Sequence, residues 1–427
     1  MSRRPGLLLL LLLATSATGA AAQEPPPAGA PPPASAPVTA APAAPAPPDR
    51  GVQVETLAAP DAFTTPGRDT GLPATLWRGA SLRTIQTVLP LIATRPLSPA
   101  SAALARRVLA TGAQGPKGAS DPALAGARAS ALLGQGDARA AAAILARAPG
   151  VDRSPELAHA AAETALLAGD DARACAVADG LGSGRDDVYW LRLRAYCQTV
   201  GGHGDQAQLT FDLAQAQAKD PVFARLMTAK LAGAGNPGAA SLRNGLDYAL
   251  SHSLGLDLSV AKASPEVAAA LSSGAPAEPS FDTATAAPDV APLVEALMSG
   301  QPVREVVIQA LTEPAGSTEP RTRARGQAAL LLALALSGPL TAETRNQIAA
   351  LSTPEGKAPL GRDMALESAG EGKLMGEAAM LALWTCADAG PAGPAIGDRV
   401  RIVRALHLAG LEADARAFAL EGLLALR

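Results

Sequence analysis

A spacing of 33 residues recurs along the middle of this chain and constrains its fold more than any other feature. Four large apolar residues stand 33 positions apart near the start of successive segments: Leu124, Leu157, Trp190 and Phe223. Each segment continues to a glycine and then to an aspartate or asparagine and an alanine-rich run; the glycines are Gly136, Gly169, Gly204 and Gly235. A fixed period of this length indicates that one supersecondary unit is repeated.

The residues at the ends of each segment predict a pair of helices. Asp121, Ser154 and Asp220 each precede a proline, so an N-cap side chain stands before a residue that suits the first helical position. The glycine ends this helix in a left-handed turn, and the Asp or Asn that follows caps a second helix. Small residues let the second helix approach the first closely: Ala141, Ala174 and Ala207. Such a hairpin cannot bury its apolar face alone, so consecutive hairpins are expected to stack.

The segments resemble tetratricopeptide repeats in length and residue order. Trp190, Leu193 and Tyr196 stand near that family's large first-helix positions. The glycine and second-helix alanine positions of the family are matched by Gly136, Gly169, Ala141 and Ala174. The resemblance covers 122–253 and departs from the family pattern because the proline that ends each unit is missing. It implies stacked hairpins with a concave surface for a protein or peptide, and it implies no chemistry.

The beginning of the chain predicts an export signal and a spacer. Arg3 and Arg4 precede an unbroken leucine run and then small residues, so 1–22 is expected to be a cleaved signal peptide. Twin-arginine export and an uncleaved membrane anchor are the alternatives to ordinary secretion. Residues 23–58 are rich in Pro and Ala and lack the apolar side chains that offset the entropy of folding, so they predict a disordered linker.

The rest of the sequence predicts helices in two regions. An N-terminal tetratricopeptide-like helical solenoid is expected over 59–275, a loop over 276–288, and a C-terminal helical-repeat region over 289–427. No segment alternates with a period of two over more than a few residues, so the predicted fold class is all-α, an α-α solenoid of helical hairpins. In the second region we expect a helix over 321–338 to pair with one over 341–352.

One glycine-rich stretch raises the question of a nucleotide site. Gly233, Gly235 and Gly238 have the G-x-G-x-x-G spacing of dinucleotide-binding loops. That fingerprint follows a β-strand, whereas residues 223–231 predict a helix. We interpret the stretch as the turn of the fourth hairpin, and no cofactor is expected.

The three cysteines suggest one covalent link. Cys175 and Cys197 lie eleven residues either side of Asp186, which is expected in the loop between two antiparallel helices. In an oxidising compartment this placement predicts a disulfide, and two buried free thiols are the alternative. Cys386, beside Trp384, is interpreted as a buried free thiol, with an intermolecular bridge as the alternative. The four histidines are far apart and match no zinc-binding spacing, so no metal site is expected.

The sequence gives little support for catalysis or for nucleic-acid binding. Glu367 and Ser368 resemble the Glu-Ser pair of soluble lytic transglycosylases, but the Gly-Leu-Met-Gln segment that follows it in that family is absent, and no catalytic residue is assigned. The net charge is −3 and aromatic residues make up 3% of the chain. Nucleic-acid binding usually needs basic and stacking side chains, so it is not expected.

These features predict a non-catalytic scaffold in the periplasm. High alanine content and a preference for arginine over lysine suggest a GC-rich bacterial genome, and the signal predicts export. The concave surface would hold a protein or peptide partner in the cell envelope, with no stable membrane span after signal cleavage. The alternative is a cell-wall-acting enzyme, similar to a lytic transglycosylase, with an unrecognised site. The partner's identity and the oligomeric state stay open.

Overall fold

The computed structural model describes residues 61–233, 235–271, 279–338, 341–351 and 356–426. In these ranges the regular structure is helical, apart from one isolated bridge between Leu242 and Ala263. The predicted all-α class is therefore confirmed for the described part of the chain. The predicted signal peptide, 1–22, and linker, 23–58, lie outside the described residues.

Nineteen α-helices follow one another in the described ranges. The first eleven are α1 (Leu82–Thr94), α2 (Pro99–Ala110), α3 (Pro122–Gly134), α4 (Ala138–Leu145), α5 (Pro155–Leu167), α6 (Asp171–Gly180), α7 (Val188–Val200), α8 (Gly204–Gln217), α9 (Pro221–Ala232), α10 (Gly245–Ser253) and α11 (Pro265–Leu271). The others are α12 (Ala291–Met298), α13 (Glu305–Ala315), α14 (Pro320–Ala335), α15 (Ala342–Ala349), α16 (Leu360–Glu371), α17 (Met375–Ala389), α18 (Ile396–Leu408) and α19 (Glu412–Leu424). None of these helices is both long and apolar enough to cross a membrane.

The predicted caps are found where the sequence places them. Asp121, Ser154 and Asp220 accept hydrogen bonds from backbone N–H groups in the first turns of α3, α5 and α9. Each cap satisfies a donor that has no partner within its helix, and the following proline suits the first turn because it has no N–H to leave unpaired. Local side-chain chemistry therefore sets these helix starts.

The turns inside the first two hairpins also follow the prediction. Gly136 (φ 80°) and Gly169 (φ 77°) adopt the left-handed conformation after α3 and α5. The next residue of each, Asp137 or Asp170, accepts a backbone hydrogen bond in the first turn of α4 or α6. A residue with a Cβ is strained at a positive φ of this size, which explains the glycine at each turn.

The third and fourth units differ from the prediction. The left-handed glycine after α7 is Gly202 (φ 79°), whereas Gly204 is already the first residue of α8. The predicted helix before the G-x-G-x-x-G stretch is confirmed, because α9 ends at Ala232 and Gly233 is its left-handed C-cap. The next helix, α10, begins only at Gly245, so Asn236 does not cap it as the period suggested.

The helices before α10 pack as neighbouring hairpins. α3 packs on α4, α5 on α6 and α7 on α8, and each second helix contacts the first helix of the next pair. The chain then turns back: α10 packs on α5, and α11 packs on α3 and α5. Two first helices of the earlier hairpins, α3 and α5, therefore carry a later part of the same chain.

The second region packs differently from the prediction. The main neighbours of α14 are α13 and α18, so the expected pairing with α15 is wrong. Gly326 explains the close fit of α14 on α13, since a Cβ there would lie 2.5 Å from the Ala315 nitrogen. The order of the sequence suggested the next helix, α15, as the partner of α14. The small residue Gly326 faces the preceding helix, α13, and permits close packing there instead.

Helices from the two ends of the described chain share one apolar core. α1 and α2 pack on α17, and α2 also packs on α19. Trp77 is fully buried, and a Cβ on Gly376 would lie 2.7 Å from its ring. The described residues from 61 onward form one compact unit. The predicted boundary at 276–288 therefore stays a prediction.

Candidate binding face on the first helices

A cavity of about 300 Å³ lies between α3 and α5 and the part of the chain that returns to them. It is lined by Ser130, Leu133, His159, Ala160, Glu163, Thr164, Leu167, Arg243, Asn244, Ser264 and Val267. Seven polar and four apolar side chains share this lining, so the cavity offers hydrogen-bonding groups as well as apolar contact. This cavity, with the faces of α3 and α5 around it, is termed the groove.

Glu163 on α5 is the principal hydrogen-bond acceptor of the groove. The Tyr189 hydroxyl donates to Oε1 at 2.9 Å, and the backbone N–H of Gly245 donates to Oε2 at 2.6 Å. Gly245 permits this approach because a Cβ at that position would lie 2.9 Å from the Glu163 carbonyl oxygen. One oxygen of the carboxylate is therefore hydrogen-bonded to a side chain, and the other to a backbone N–H group.

Tyr189, from α7 of the next hairpin, fixes the orientation of this carboxylate. Burial, the negative charge of Glu163 and the hydrogen bond to it raise the pKa of Tyr189 well above its ordinary value. The hydroxyl therefore keeps its proton at neutral pH and remains a donor. The His159 ring packs against Tyr189 with a centroid separation of 4.1 Å. Side chains from two adjacent hairpins therefore fix the position of one hydrogen-bond acceptor, the Glu163 carboxylate.

Arg243 ties the returning chain to the start of α9. Its Nε donates to Asp247 at 2.5 Å, and its Nη2 donates to Asp220 Oδ2 at 3.0 Å. Burial acts to raise the pKa of Asp220, but the hydrogen bonds from Arg243 and the Phe223 N–H, with the charges of Arg243 and Arg192, hold that pKa below its ordinary value. The loop before α10 is therefore fixed by charge as well as by the Glu163 contact.

The apolar contacts of α11 are separate from those of the main core. Val267 and Ala270 are buried in a small cluster with Ala138, Leu167 and Leu242. The apolar side chains of α10 instead belong to the main core: Leu246, Ala249 and Leu250. Tyr248 of α10 packs against the small cluster as well, so α10 contacts both clusters.

Arg128 on α3 was not singled out in the sequence, although it is fully buried. Its guanidinium donates to four backbone carbonyls, those of Ala62, Thr65, Leu109 and Thr111. Burial lowers the pKa of Arg128 to about 9 against the opposing charge of Asp61, so the group stays charged at neutral pH. It joins α3 to the chain before α1 and to the end of α2. The sequence did carry a signal for this role, because Arg128 is the lone charged residue in a helix of otherwise small or apolar side chains.

The cysteines are placed by the hairpin packing. Cys175 on α6 and Cys197 on α7 form a disulfide, with their Cα atoms 5.5 Å apart. This bond joins the second hairpin to the third. Cys386 on α17 is a buried free thiol, and burial raises its pKa to about 12, so it is protonated at neutral pH and a poor nucleophile.

The residues considered for catalysis lie on the surface. Glu367 and Ser368 are exposed on α16. A carboxyl that serves as a general acid usually sits in an apolar pocket, and neither side chain has one. Among the described residues no three His, Cys, Asp or Glu side chains are grouped to hold a metal ion. In the groove, each oxygen of the Glu163 carboxylate accepts a hydrogen bond from the chain itself.

Comparison of the chain with known protein families, with curated proteins and with solved structures gives no match. The functional proposal therefore depends on the groove and on the chain's own sequence.

Proposed function

We propose that this protein is an exported, non-catalytic scaffold of tetratricopeptide-like hairpins that binds a protein or peptide partner in the periplasm. The hairpin caps, the left-handed glycines and the packing of α3 to α9 support the architectural part of this proposal. The repeat resemblance supports a binding role, since such arrays present extended concave surfaces to a partner.

The contact between Glu163 and Gly245 carries the proposal of a polypeptide partner. A carboxylate held by Tyr189 accepts a backbone N–H, and beside it an apolar site holds Val267. A backbone donor and a buried aliphatic side chain are what any polypeptide offers, so the groove's chemistry suits a peptide or a protein segment. The exposed side chains of Ser130 and His159 leave part of this face in contact with solvent.

A periplasmic location is supported by two features of the chain. The first 22 residues have the pattern of an export signal. The disulfide between Cys175 and Cys197 is of a kind that persists in oxidising compartments and is rare in the reducing cytosol. The disulfide prediction itself assumes an oxidising compartment, so the geometry of Cys175 and Cys197 is consistent with export.

Chemical crosslinking in cells tests the proposal. The tagged protein is crosslinked in the periplasm, and captured proteins are identified by mass spectrometry. Ser130→Arg places a large charged side chain in the groove on α3, and Ala172→Arg places the same side chain on the exposed surface of α6 as a matched control. We expect a partner that wild type and Ala172→Arg capture and that Ser130→Arg loses. Capture of the same partner by all three proteins would contradict binding at this face.

A further inference from the structure

One asparagine of the chain stands directly before a glycine. The chain has three asparagines: Asn236 precedes a proline, Asn346 precedes a glutamine, and Asn244 precedes Gly245. An asparagine side chain can cyclise onto the backbone nitrogen of the next residue, and glycine hinders this attack least because it has no Cβ. A proline nitrogen carries no hydrogen to lose. Asn244 is therefore the asparagine whose sequence most favours self-modification.

Hydrogen bonds hold both reacting groups of this pair in an unreactive conformation. The Gly245 N–H donates to Glu163 Oε2 at 2.6 Å, and the Asn244 side chain caps α10 by accepting from the Asp247 N–H at 2.8 Å. Ring closure needs the Asn244 Cβ and the Gly245 nitrogen to be nearly eclipsed about the Cα–C bond, whereas an extended ψ of 177° keeps them staggered. The folded conformation therefore keeps the nitrogen away from the Asn244 Cγ.

The reaction becomes possible when these contacts open. The Glu163–Gly245 hydrogen bond joins α5 to a segment 82 positions later, and loss of this bond frees the Gly245 nitrogen and lets ψ of Asn244 rotate. Asn244 is exposed, so water reaches its amide. Hydrogen bonds to a charged acceptor are among the stronger ones in proteins, so the opened state is scarce and the reaction is slow.

We propose that Asn244 is a self-modification site that the Glu163–Gly245 hydrogen bond holds in check. When this bond opens, the Gly245 nitrogen attacks the Asn244 Cγ, and a new N–Cγ bond forms as the Cγ–Nδ2 bond breaks. The Gly245 proton passes through solvent to the leaving nitrogen, which departs as ammonia. Water then opens the cyclic imide at one of its two carbonyls and leaves aspartate or isoaspartate. This inference does not depend on the proposed partner.

The isoaspartate product prevents the returning chain from docking on α5 again. Its main chain runs through the former Cβ and Cγ, so one extra carbon precedes Gly245 and moves the Gly245 N–H out of line with Glu163. The former backbone carbonyl becomes a carboxylate, and this added negative charge lies on the same side of the protein as the charge of Glu163, which it repels. Modification therefore converts a reversible contact into a one-way release of the start of α10 from α5.

Timed peptide mapping of the full chain tests this inference. Wild type, Glu163→Ala and Glu163→Gln are incubated at neutral pH and digested, and the conversion of Asn244 from amide to acid is followed by mass spectrometry. Synthetic versions of the digested fragment with aspartate or isoaspartate identify the product. A synthetic peptide of residues 239–250 gives the rate of the reaction without the fold.

Two controls separate release of Gly245 from other causes. Asn346 is exposed on α15 before Gln347, so it reports the modification that exposure alone allows. Arg128→Met removes buried hydrogen bonds that involve neither Glu163 nor Gly245, so it reports the effect of general destabilisation. Circular dichroism checks that each variant is folded during the incubation.

The expected result is slow modification that depends on Glu163. Asn244 of wild type should react about tenfold or more slowly than the peptide, which is the protection expected of a hydrogen bond to a charged acceptor. Glu163→Ala should approach the rate of the peptide, and Glu163→Gln should be intermediate because a neutral acceptor binds less strongly. Arg128→Met should react as wild type does, and Asn346 should stay unmodified. The isoaspartate fraction should exchange the amide hydrogens of 245–253 faster than unmodified protein does.

Three outcomes would overturn the inference. Equal rates for wild type and the peptide would show that the fold does not hold Asn244 in check. A rate for Glu163→Ala that matches wild type, or that Arg128→Met reproduces, would show that the contact with Gly245 is not the barrier. Unchanged hydrogen exchange in the isoaspartate fraction would show that the chain still docks on α5. Each of these results leaves the scaffold proposal to its own test, partner capture by Ser130→Arg.

Discussion

The carboxylate of Glu163 accepts a hydrogen bond from the backbone N–H of Gly245, a residue 82 positions later in the chain. This contact fixes the returning chain against α5, beside the cavity that α11 lines. The approach requires a residue without a side chain at position 245, since a Cβ there would come within 3.0 Å of the Glu163 carboxylate. A single glycine therefore permits a long-range contact on which the geometry of the groove depends.

Substitution of this glycine should destabilise the protein. Gly245→Ala forces the backbone away from Glu163 and weakens the 2.6 Å hydrogen bond. We expect a loss of about 1–3 kcal/mol in the free energy of unfolding, as for other overpacked positions, measured by denaturant titration. The control is Gly361→Ala on α16, where a Cβ meets nothing within 4 Å. That variant should gain about 0.5 kcal/mol from helix propensity, and equal effects at the two sites would contradict the close-contact account.

Removal of the buried guanidinium should have a larger effect. Arg128→Met leaves the four carbonyls that Arg128 now binds without a donor. We expect a loss of about 3–5 kcal/mol in unfolding free energy, since breaking a buried charged network leaves unsatisfied groups. Arg139→Met on the exposed surface of α4 should change stability by about 0.5 kcal/mol or less. A small effect of Arg128→Met would mean that water or other donors replace the guanidinium.

The disulfide should stabilise the second and third hairpins. It closes a loop with a sequence separation of 22, and a loop of this size gives about 3 kcal/mol in the chain-entropy account. Reducing agent should therefore lower the melting temperature of the wild type. It should leave the already destabilised double variant Cys175→Ser, Cys197→Ser unchanged. An equal response of both proteins to reductant would place the redox sensitivity elsewhere.

Cys386 should be unreactive toward thiol reagents in the folded protein. Burial raises the pKa of Cys386 to about 12, so its reactive thiolate is scarce at neutral pH. A thiol-reactive chromophore should therefore label no cysteine of the oxidised native protein and about one after unfolding in denaturant. Rapid labelling of the native protein would show that the Cys386 thiol is accessible or that the disulfide is open.

Acid should weaken the anchoring of the returning chain at Asp220. The pKa of this carboxyl is held below its ordinary value of 3.8, so its contribution to stability is fully present above that value and is lost as the pH falls through the lowered folded pKa. Between about pH 6 and about pH 3, wild type should lose more unfolding free energy than Asp220→Asn. The exposed Asp205→Asn should follow wild type, and an identical pH profile for Asp220→Asn would contradict this role.

Features governed by neighbouring residues were predictable from the sequence. The caps Asp121 and Ser154 and the turns at Gly136 and Gly169 depend on contacts within a few positions, so their residue types are diagnostic. The helical class followed for the same reason. The 33-residue period does not continue past α9, because α10 packs on α5 and the contact with α5 places the first residues of α10.

The groove itself depends on contacts that the sequence does not display. Glu163 has the appearance of a solvated acid on an alanine-rich helix, and only folding brings Tyr189 and Gly245 to its two oxygens. Arg243 likewise reaches Asp220 across 23 positions. Partners this distant are selected by the packing of whole helices, so residue type and spacing alone could not identify them.

Site-specific photocrosslinking tests the central claim most directly. A photoreactive amino acid is placed at Ser130, in the groove on α3, or at Ala172, on the exposed surface of α6, and the periplasmic protein is irradiated in cells. The account predicts a discrete adduct with a protein or peptide at Ser130, identified by mass spectrometry, and none at Ala172. An adduct at Ala172 with none at Ser130 would contradict binding by the first helices and would place the partner on the second-helix surface.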